Sequence, residues 1–322
     1  MPCAVIHSPG EWRARYGPAR GATTLTVGNF DCVHLGHQKI LRSVLEHARA
    51  TSTVAAAVTF DPLPLKVLRP AEAPPQICTL AQRLKRLDQA GLDAVLVLRF
   101  DLELSRYSPE DFIRILLNQL SLRAILVGEN FRFGHRQLGD VALLTRLGRQ
   151  HGFQVSVVPP VICRREVVSS TAIRAHIRAG RVSRAARLLG RPFVLTGHVR
   201  PGTGMGAKLV FPTLNLAPDQ ELLPAIGVYA TETRLSSRTY RSATNVGVRP
   251  TFDGHSIAVE SHLFDFSETL TAGPMEVHFW RRLRDERKFP SPAALRSQIS
   301  RDLSRARRFF SRFSAAAPAR SS

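Results

Sequence analysis

The first half of the chain alternates short runs of apolar, mostly β-branched residues with longer segments in which apolar residues recur at helical spacing. This alternation predicts an α/β domain with an open parallel sheet that is covered by helices on both faces. Ligands bind such sheets at the carboxyl ends of the strands. The predicted strands are 24–27, 53–60, 94–98, 124–127 and 154–158, and the predicted helices are 37–50, 80–90, 109–120, 140–151 and 170–189.

The pattern changes after Gly190, where short strand-like runs follow one another with turn residues instead of helices between them. Strands without intervening helices predict a small antiparallel β-barrel, and a helical pattern follows it at 291–313. We therefore predict domains at 1–189 and 190–313 and a disordered tail at 314–322. The predicted barrel strands are 193–199, 227–234, 240–246, 257–264 and 275–283.

Composition narrows the class of protein. The 322 residues suffice for two domains that bury their cores without disulfides or metals. The sequence shows neither a secretion signal nor the ~18 consecutive apolar residues of a membrane span, so we expect a soluble cytoplasmic protein without a membrane partner. The four cysteines lack the paired spacing of a disulfide framework or a zinc site, and we expect them to be reduced.

The formal net charge of +20 allows two explanations. Such an excess can mark a nucleic-acid-binding surface. However, only five of the 45 basic residues are lysines, and the arginines are spread along the chain with a mild cluster at 301–312. We therefore expect a basic protein that handles anionic nucleotides and regard nucleic acid as an unlikely partner, and self-association stays open.

One segment of the first half, Gly28-Asn-Phe-Asp-Cys-Val-His-Leu-Gly-His37, lies between a predicted strand and a helix. Small residues let a backbone approach phosphates, and the start of a helix offers unpaired N–H groups. His34 and His37 are three residues apart and so face the same way. These features predict an anion cradle for attack of a phosphate on the α-phosphorus of ATP, which needs no protein nucleophile.

Two later segments fit the same site. Residues 127–134 follow a predicted strand, and Ser169-Ser-Thr-Ala-Ile-Arg174 opens a predicted helix. Taken alone, the second segment is equally well explained as a helix N-cap, and Arg132 and Arg174 as surface charge.

In this order the three segments resemble the FMN adenylyltransferase module of the bacterial bifunctional riboflavin kinase/FAD synthetase family, over about 24–190. The resemblance implies a Rossmann-like nucleotidyltransferase sheet in which His34 and His37 stabilise the reacting phosphates. It further implies that ATP and its phosphates are bound by Gly28, Phe30, Gly36, Asn130, Ser170, Thr171 and Arg174.

Two positions of this half depart from the family's pattern. Cys32 stands where the family has glycine, and Leu63 stands where it has histidine. A leucine cannot donate a hydrogen bond or carry charge. Slower adenylylation than in relatives, or its loss, therefore stays open.

The second half carries three ordered segments, Pro201-Gly-Thr-Gly-Met-Gly206, Phe211-Pro-Thr-Leu-Asn215 and Val259-Glu-Ser-His-Leu-Phe-Asp-Phe266. Amides of a glycine-rich turn can cover phosphates, and hydroxyl and amide oxygens can join phosphate oxygens around Mg²⁺. A carboxylate can accept the proton of an attacking alcohol. The ordered set predicts phosphoryl transfer to a hydroxyl group.

This half is similar to the riboflavin kinase module of the same family over about 190–309, including the segment at 245–252. The resemblance implies a six-stranded barrel in which Glu260 is the general base for the ribityl 5′-hydroxyl. The other site residues that it implies are Thr213 and Asn215 for Mg²⁺ and ATP, Gly204 and Gly206 for ATP phosphates, and Arg284, Glu286 and Phe289 for the flavin.

Together the resemblances predict a transferase that converts riboflavin to FMN and then FMN to FAD, with ATP as co-substrate and Mg²⁺ as cofactor. Its expected partners are riboflavin, FMN, FAD and ATP. Ala207 and Val210 replace an arginine and a glycine of the kinase pattern. Two alternatives therefore stay open: a degenerate paralogue that keeps only the kinase activity, and a non-catalytic protein that binds flavin or nucleic acid.

Overall fold

The computed structural model describes residues 2–17, 21–201, 212–251, 254–268 and 270–316. The chain divides into two compact units, Met1–Ser170 and Thr171–Ser322. This division precedes the predicted domain boundary at 189, because the helix at Val182–Leu189 packs against strands of the second unit. No helix of the described residues is long and apolar enough to cross a membrane.

The first unit is a parallel sheet with helices on both faces, which confirms the predicted α/β class. Its strands lie in the order β1-β4-β3-β2-β5-β6, and every adjacent pair is parallel. The elements are β1 Ala4–Ile6, α1 Pro9–Tyr16, β2 Thr23–Val27, α2 Leu35–Thr51, β3 Val54–Asp61, α3 Pro64–Leu68, α4 Leu80–Gln89, β4 Ala94–Arg99, α5 Pro109–Leu120, β5 Leu122–Gly128, α6 Val141–His151, β6 Gln154–Val158, β7 Ile162–Cys163 and β8 Glu166–Val167.

The core of this unit lies on the two faces of the sheet. Strand residues alternate between the faces, so each face meets its own set of helices. One face packs on α1, α5 and α6 through Trp12, Phe112, Leu116, Leu144 and Leu147. The other face packs on α2 and α4 through Leu41, Val44, Ala48 and Leu87.

Capping side chains fix where the helices of this unit begin. Thr79 and Gln82 form a reciprocal capping box at the start of α4. The side chains of Ser108 and Asp140 accept the amides that begin α5 and α6. Gly152 ends α6 at a φ of 75°, in the left-handed region that glycine adopts without strain.

The predicted single helix at 170–189 is wrong, because the structure has two helices there, α7 Ser170–Arg178 and α8 Val182–Leu189. Gly180 lies between them at a φ of 68°, and a Cβ atom there would lie 2.9 Å from the Arg282 side chain. The amide of Arg181 closes α7 by donating to the carbonyl of His176 (2.8 Å). The helical spacing of apolar residues continues across this break, so the sequence pattern does not reveal that the helix is interrupted.

The second unit contains a closed antiparallel barrel, which confirms the predicted all-β class and the six strands that the family resemblance implies. Its strand order is β10-β13-β12-β11-β14-β9. The final helix extends to Ala316, into the segment predicted as a tail, and 317–322 lie outside the described residues. The elements are β9 Phe193–Arg200, β10 Leu214–Pro218, β11 Gly227–Leu235, β12 Arg238–Thr251, β13 Gly254–Leu263, β14 Pro274–Arg284 and α9 Pro292–Ala316.

A chain of hydrogen-bonded hydroxyl groups lies inside the barrel. Helix α9 packs against Ala230 and Ala243 on the outer face, so the neighbouring residues in each strand point inward. The inward hydroxyls are all fully buried. Their oxygens are linked at 2.6–2.8 Å in the order Thr233, Ser242, Thr231, Thr244, Ser261.

Thr231 is the centre of this chain, and replacing it with valine should destabilise the barrel by about 1–3 kcal/mol. The substitution keeps the shape but leaves the buried hydroxyls of Ser242 and Thr244 each without one partner. Denaturant unfolding followed by circular dichroism measures the change. Thr239→Val, at an exposed position of β12, is the matched control, and equal stability of the two variants would contradict the prediction.

Candidate functional site

The first candidate site lies where the strand order of the parallel sheet reverses. From β2 the chain adds β3 and β4 on one side, and it then places β5 on the other side of β2. The loops that follow β2 and β5 therefore flank a topological switch point, the usual ligand position in such sheets. The segment beginning at Gly28 follows β2, and Asn130 lies exposed in the turn after β5.

The loop after β2 adopts a strained backbone that neighbouring groups hold in place. Phe30, Cys32 and Val33 have φ values of 47°, 72° and 41°. Each such residue costs roughly 1–2 kcal/mol. The carboxylate of Asp31 accepts the amides of Ile77 (3.0 Å) and Cys78 (3.2 Å), and the amide of Cys32 donates to Cys78 Sγ (2.8 Å).

His34 is both a site residue and the N-cap of α2. Its Nδ1 accepts the amide of His37 (3.3 Å), so this nitrogen carries no proton and the neutral ring has its proton on Nε2. A Cβ atom on Gly36 would lie 3.1 Å from the His34 ring, which explains glycine at that position. The structure thus presents Nε2–H of His34 as a donor at the positive end of a helix.

His37 stacks on His34, with ring centroids 3.7 Å apart and ring planes 14° apart. The buried ring of Phe30 meets His37 edge-on at 5.1 Å, and Phe30 itself packs over Gly28. Burial, and then the adjacent His34 ring, hold the pKa of His37 well below its ordinary value of 6.5. His37 is therefore a neutral imidazole at pH 7.

This lowered pKa predicts a loss of stability in acid. Below pH 6.5 the unfolded chain takes up a proton on His37 and the folded chain does not, so stability falls as the pH falls. The contribution is up to about 1.4 kcal/mol per pH unit. Denaturant unfolding at several pH values should give a shallower decline for His37→Gln than for the unchanged protein. If the free energy of unfolding fell equally steeply with pH in both proteins below pH 6.5, the prediction would be wrong.

Of the predicted phosphate residues on α7, Ser170 lies beside the loop. Its Oγ is 3.5 Å from the carbonyl oxygen of Asp31. Thr171 and Arg174 follow on α7 and belong to the second compact unit.

The two departures from the adenylyltransferase pattern have different structural effects. Cys32 has a φ of 72°, in the left-handed region that glycine adopts without strain, so a non-glycine residue carries this conformation here. Leu63 is buried as the N-cap residue of α3 and makes no side-chain cap hydrogen bond. The imidazole of the family's motif is thus replaced by apolar packing.

The second candidate site lies on the barrel and is set by strand register. Glu260 on β13 is directly opposite Asn215 on β10 and directly opposite Asn245 on β12. Directly paired residues share a face of the sheet, so the carboxylate has an amide side chain on either side. Asn245 was not among the predicted site residues, although the segment at 245–252 was noted as part of the resemblance.

Glu286 approaches the same region. A Cβ atom on Gly247 would lie 2.6 Å from Glu286 Oε1 and 2.9 Å from Asn245 Nδ2. Glycine at this position therefore lets the carboxylate of Glu286 approach the backbone of β12 beside Asn245. The predicted flavin residue Glu286 and the predicted base Glu260 are thus both next to Asn245.

Arg284 and Phe289 form a cluster with α9. Arg284 donates from Nε and Nη2 to the buried carboxylate of Asp302, both at 2.8 Å. The ring of Phe289 lies 5.7 Å from the Arg284 guanidinium and 5.0 Å from that of Arg287. Asp302 neutralises the charge of Arg284. Through its contacts with Asp302 and Phe289, Arg284 links the segment after β14 to helix α9.

The predicted metal ligands offer oxygen donors. Asn215 is buried in β10 and Thr213 lies just before that strand, two residues away. A hydroxyl and an amide oxygen suit Mg²⁺, which takes its remaining ligands from water and substrate phosphates. No group of three or more His, Cys, Asp or Glu side chains among the described residues could hold a metal ion. Gly204 and Gly206, with Ala207 and Val210, lie outside the described residues.

Two family models match the chain. A model of FAD synthetase matches residues 18–172, and a model of riboflavin kinase matches residues 189–310. The first match contains the His34–His37 pair, and the second contains Asn215, Asn245 and Glu260.

Several curated proteins are similar over nearly the whole chain. Proteins named bifunctional riboflavin kinase/FMN adenylyltransferase from Escherichia coli K12 and Haemophilus influenzae are each 34% identical, over 89% of this chain and 92% and 94% of their own lengths. One from Pseudomonas fluorescens is 35% identical over 90% of this chain and 94% of its own. A crystal structure titled macrolide-efflux protein from Streptococcus pneumoniae matches with a TM-score of 0.85 and 27% identity, over 95% of this chain and 99% of that one.

Proposed function

The chain belongs to the bifunctional riboflavin kinase/FAD synthetase family, and from this premise we propose that its barrel phosphorylates riboflavin and its α/β unit adenylylates the resulting FMN. The observation that best supports the proposal is that one chain holds both an imidazole pair at a helix start and a barrel glutamate flanked by two asparagines. Both family models and the curated relatives above support an enzyme of flavin nucleotides and give no support to the efflux activity named in the streptococcal title.

In the kinase reaction, Glu260 accepts the proton of the ribityl 5′-hydroxyl as that oxygen attacks the γ-phosphorus of ATP. The bond from the γ-phosphorus to its bridging oxygen breaks, and ADP leaves with FMN as the second product. Asn215 and Asn245 flank the carboxylate and orient it toward the hydroxyl. Glu286, beside Asn245, contacts the flavin, and Phe289 contributes an apolar surface.

Thr213 and Asn215 would hold Mg²⁺ together with the phosphates of ATP. When bound, the ion neutralises charge that develops on the transferred phosphoryl group. The chain's own contribution is to place the hydroxyl and amide oxygens two residues apart beside Glu260.

In the adenylyltransferase reaction, a phosphate oxygen of FMN attacks the α-phosphorus of ATP, the bond to the pyrophosphate oxygen breaks, and FAD and pyrophosphate result. Nε2–H of His34 and the neutral ring of His37 donate to phosphate oxygens as charge develops on them. Amides at the start of α2, which lack intrahelical acceptors, contact the same phosphates. Asn130 and Ser170 add polar side chains to the binding of ATP in this unit, and Thr171 and Arg174 on α7 are the further ATP-binding residues that the family resemblance implies.

Position-labelled ATP tests both reactions in one assay. Purified protein is incubated with riboflavin, Mg²⁺ and ATP labelled at either the γ- or the α-phosphorus, and flavins are separated by chromatography. Label from the γ-position should enter FMN first and FAD later, because the kinase transfers that phosphorus. Label from the α-position should enter FAD alone.

The outcomes separate the alternatives. Absence of labelled flavin with either ATP would refute the proposal, and γ-label that stops at FMN would leave a kinase alone. We place the reactions in the cytoplasm, in keeping with four cysteines that form no disulfide. Among the described residues and the relatives above, nothing favours a non-catalytic binding protein.

A further inference from the structure

Arg83 of α4 is a fully buried arginine whose hydrogen-bonding capacity the fold uses only in part. Its relative exposure is 0%. Nη1 donates to Phe60 O (2.7 Å) and to Thr59 Oγ1 (3.3 Å). Nε and Nη2 have no hydrogen-bond partner among the described residues, and no carboxylate there forms a salt bridge with this guanidinium. Arginine is almost never fully buried unless it is paired, so this position needs an explanation.

One of the two partners of Arg83, Thr59, also contacts the strained loop after β2. Thr59 Oγ1, which accepts from Arg83, donates in turn to the carbonyl of Asn29 (3.3 Å). The positive charge of Arg83 also acts on the Cys78 thiol: the hydrogen bond with Cys32 and then burial raise the pKa of that thiol, and Arg83 acts in the opposite direction. Arg83 is therefore linked to the loop through the hydroxyl group of Thr59.

A purely structural role would make Arg83 the bond between the end of β3 and α4. One well-formed hydrogen bond to Phe60 O offsets only a small part of the free energy lost when a full charge is removed from water. A buried charge that lacks an ion-pair partner recovers little of the free energy lost on its removal from water. The fold of this unit alone thus gives little reason for a cation here.

We infer that Arg83 is a positioning residue of the adenylyltransferase site, which fixes the loop 29–33 through Thr59 and adds buried positive charge to this unit. This inference rests on the proposed function. The loop leads directly into His34, so a shift of Asn29 misdirects the imidazole donors. In a poorly solvated interior the charge also acts on phosphates over a longer range than a surface charge does.

The test compares Arg83→Met and Arg83→Lys with Arg86→Met, a matched control one turn along the same helix. For FAD formation from supplied FMN, Arg83→Met should lower kcat about 10- to 100-fold, since small misplacements of reacting groups have effects of this size. The KM for ATP should stay within about twofold, because the loss falls on the transition state. Arg83→Lys, which keeps the charge and one donor, should recover part of the rate, and Arg86→Met should match the unchanged protein.

Stability distinguishes positioning from structure. Arg83→Met removes the donor to Phe60 O and Thr59 Oγ1, so its thermal midpoint should fall by roughly a few degrees while the protein stays folded at the assay temperature. FMN formation from riboflavin should be unaffected. Unfolding of Arg83→Met, an unchanged kcat, or a raised KM alone would overturn the inference. If the unchanged protein itself forms no FAD from FMN, the proposed adenylyltransferase activity fails. If it does form FAD, the rates of the Arg83 variants test the inference separately.

Discussion

Replacing Glu260 with glutamine is expected to reduce FMN formation by about 100- to 10,000-fold, the usual contribution of a general base. The amide keeps the size of the carboxylate between Asn215 and Asn245 but cannot accept the proton of the ribityl hydroxyl. FAD formation from supplied FMN should be unchanged, because the residues proposed for that step lie elsewhere in the chain. Initial rates with riboflavin and with FMN as separate substrates measure both effects.

Glu276→Gln is the matched control for this experiment. Glu276 is on β14, a strand that pairs with neither β13 nor its neighbours β10 and β12, and its carboxylate lies 3.3 Å from His278. The control should keep both activities. If Glu260→Gln lost FAD formation as well while remaining folded, the assignment of separate sites would be wrong.

Replacing His34 with asparagine is expected to lower FAD formation by about 100- to 1,000-fold, the effect of removing one donor to a developing negative charge. Asparagine is a preferred N-cap and can still accept the amide of His37, so the start of α2 is retained. Its side chain is too short to place a donor where Nε2–H of the imidazole lies. The free energy of unfolding should therefore change by less than about 1 kcal/mol.

His34→Ala separates the two roles of this ring. Alanine removes the cap as well as the donor, so it should show the same loss of activity and a further loss of about 0.5–2 kcal/mol in stability. His151→Asn, at an exposed position in α6, serves as the control for a histidine substitution. Normal FAD formation by His34→Asn would mean that the imidazole acts only as a cap.

The sequence predicts the fold where apolar periodicity is long and uninterrupted. Helices such as α5 and strands such as β4 lie where the pattern places them. The elements that were not predicted are short, for example β1 with three residues, α1 with eight, and β10 with five and a terminal Pro218. Such lengths give too little chain to establish a period. Gly180 was missed for another reason, since a left-handed glycine can interrupt a helix without changing the spacing of its apolar residues.

Site residues were predictable from sequence where a motif is contiguous, as for the segment that ends at His37. Site residues that come together only through tertiary contacts were not predictable from sequence. Asn245 becomes a neighbour of Glu260 only through the register of β12 and β13. Likewise, nothing in the local sequence links Cys78 or Arg83 to the loop after β2. Cys78 is 46 positions from Cys32, and Arg83 is connected to Asn29 through Thr59 by contacts that span 24 and 30 positions.

The left-handed backbone of Phe30, Cys32 and Val33 also bears on affinity for ATP. A flexible glycine loop would have to surrender conformational freedom each time a nucleotide arrives, which weakens binding. Here that ordering is completed when the polypeptide folds, through the Asp31 and Cys78 contacts. The cradle is preorganised, so nucleotide association need not be slowed or weakened by rearrangement of this turn.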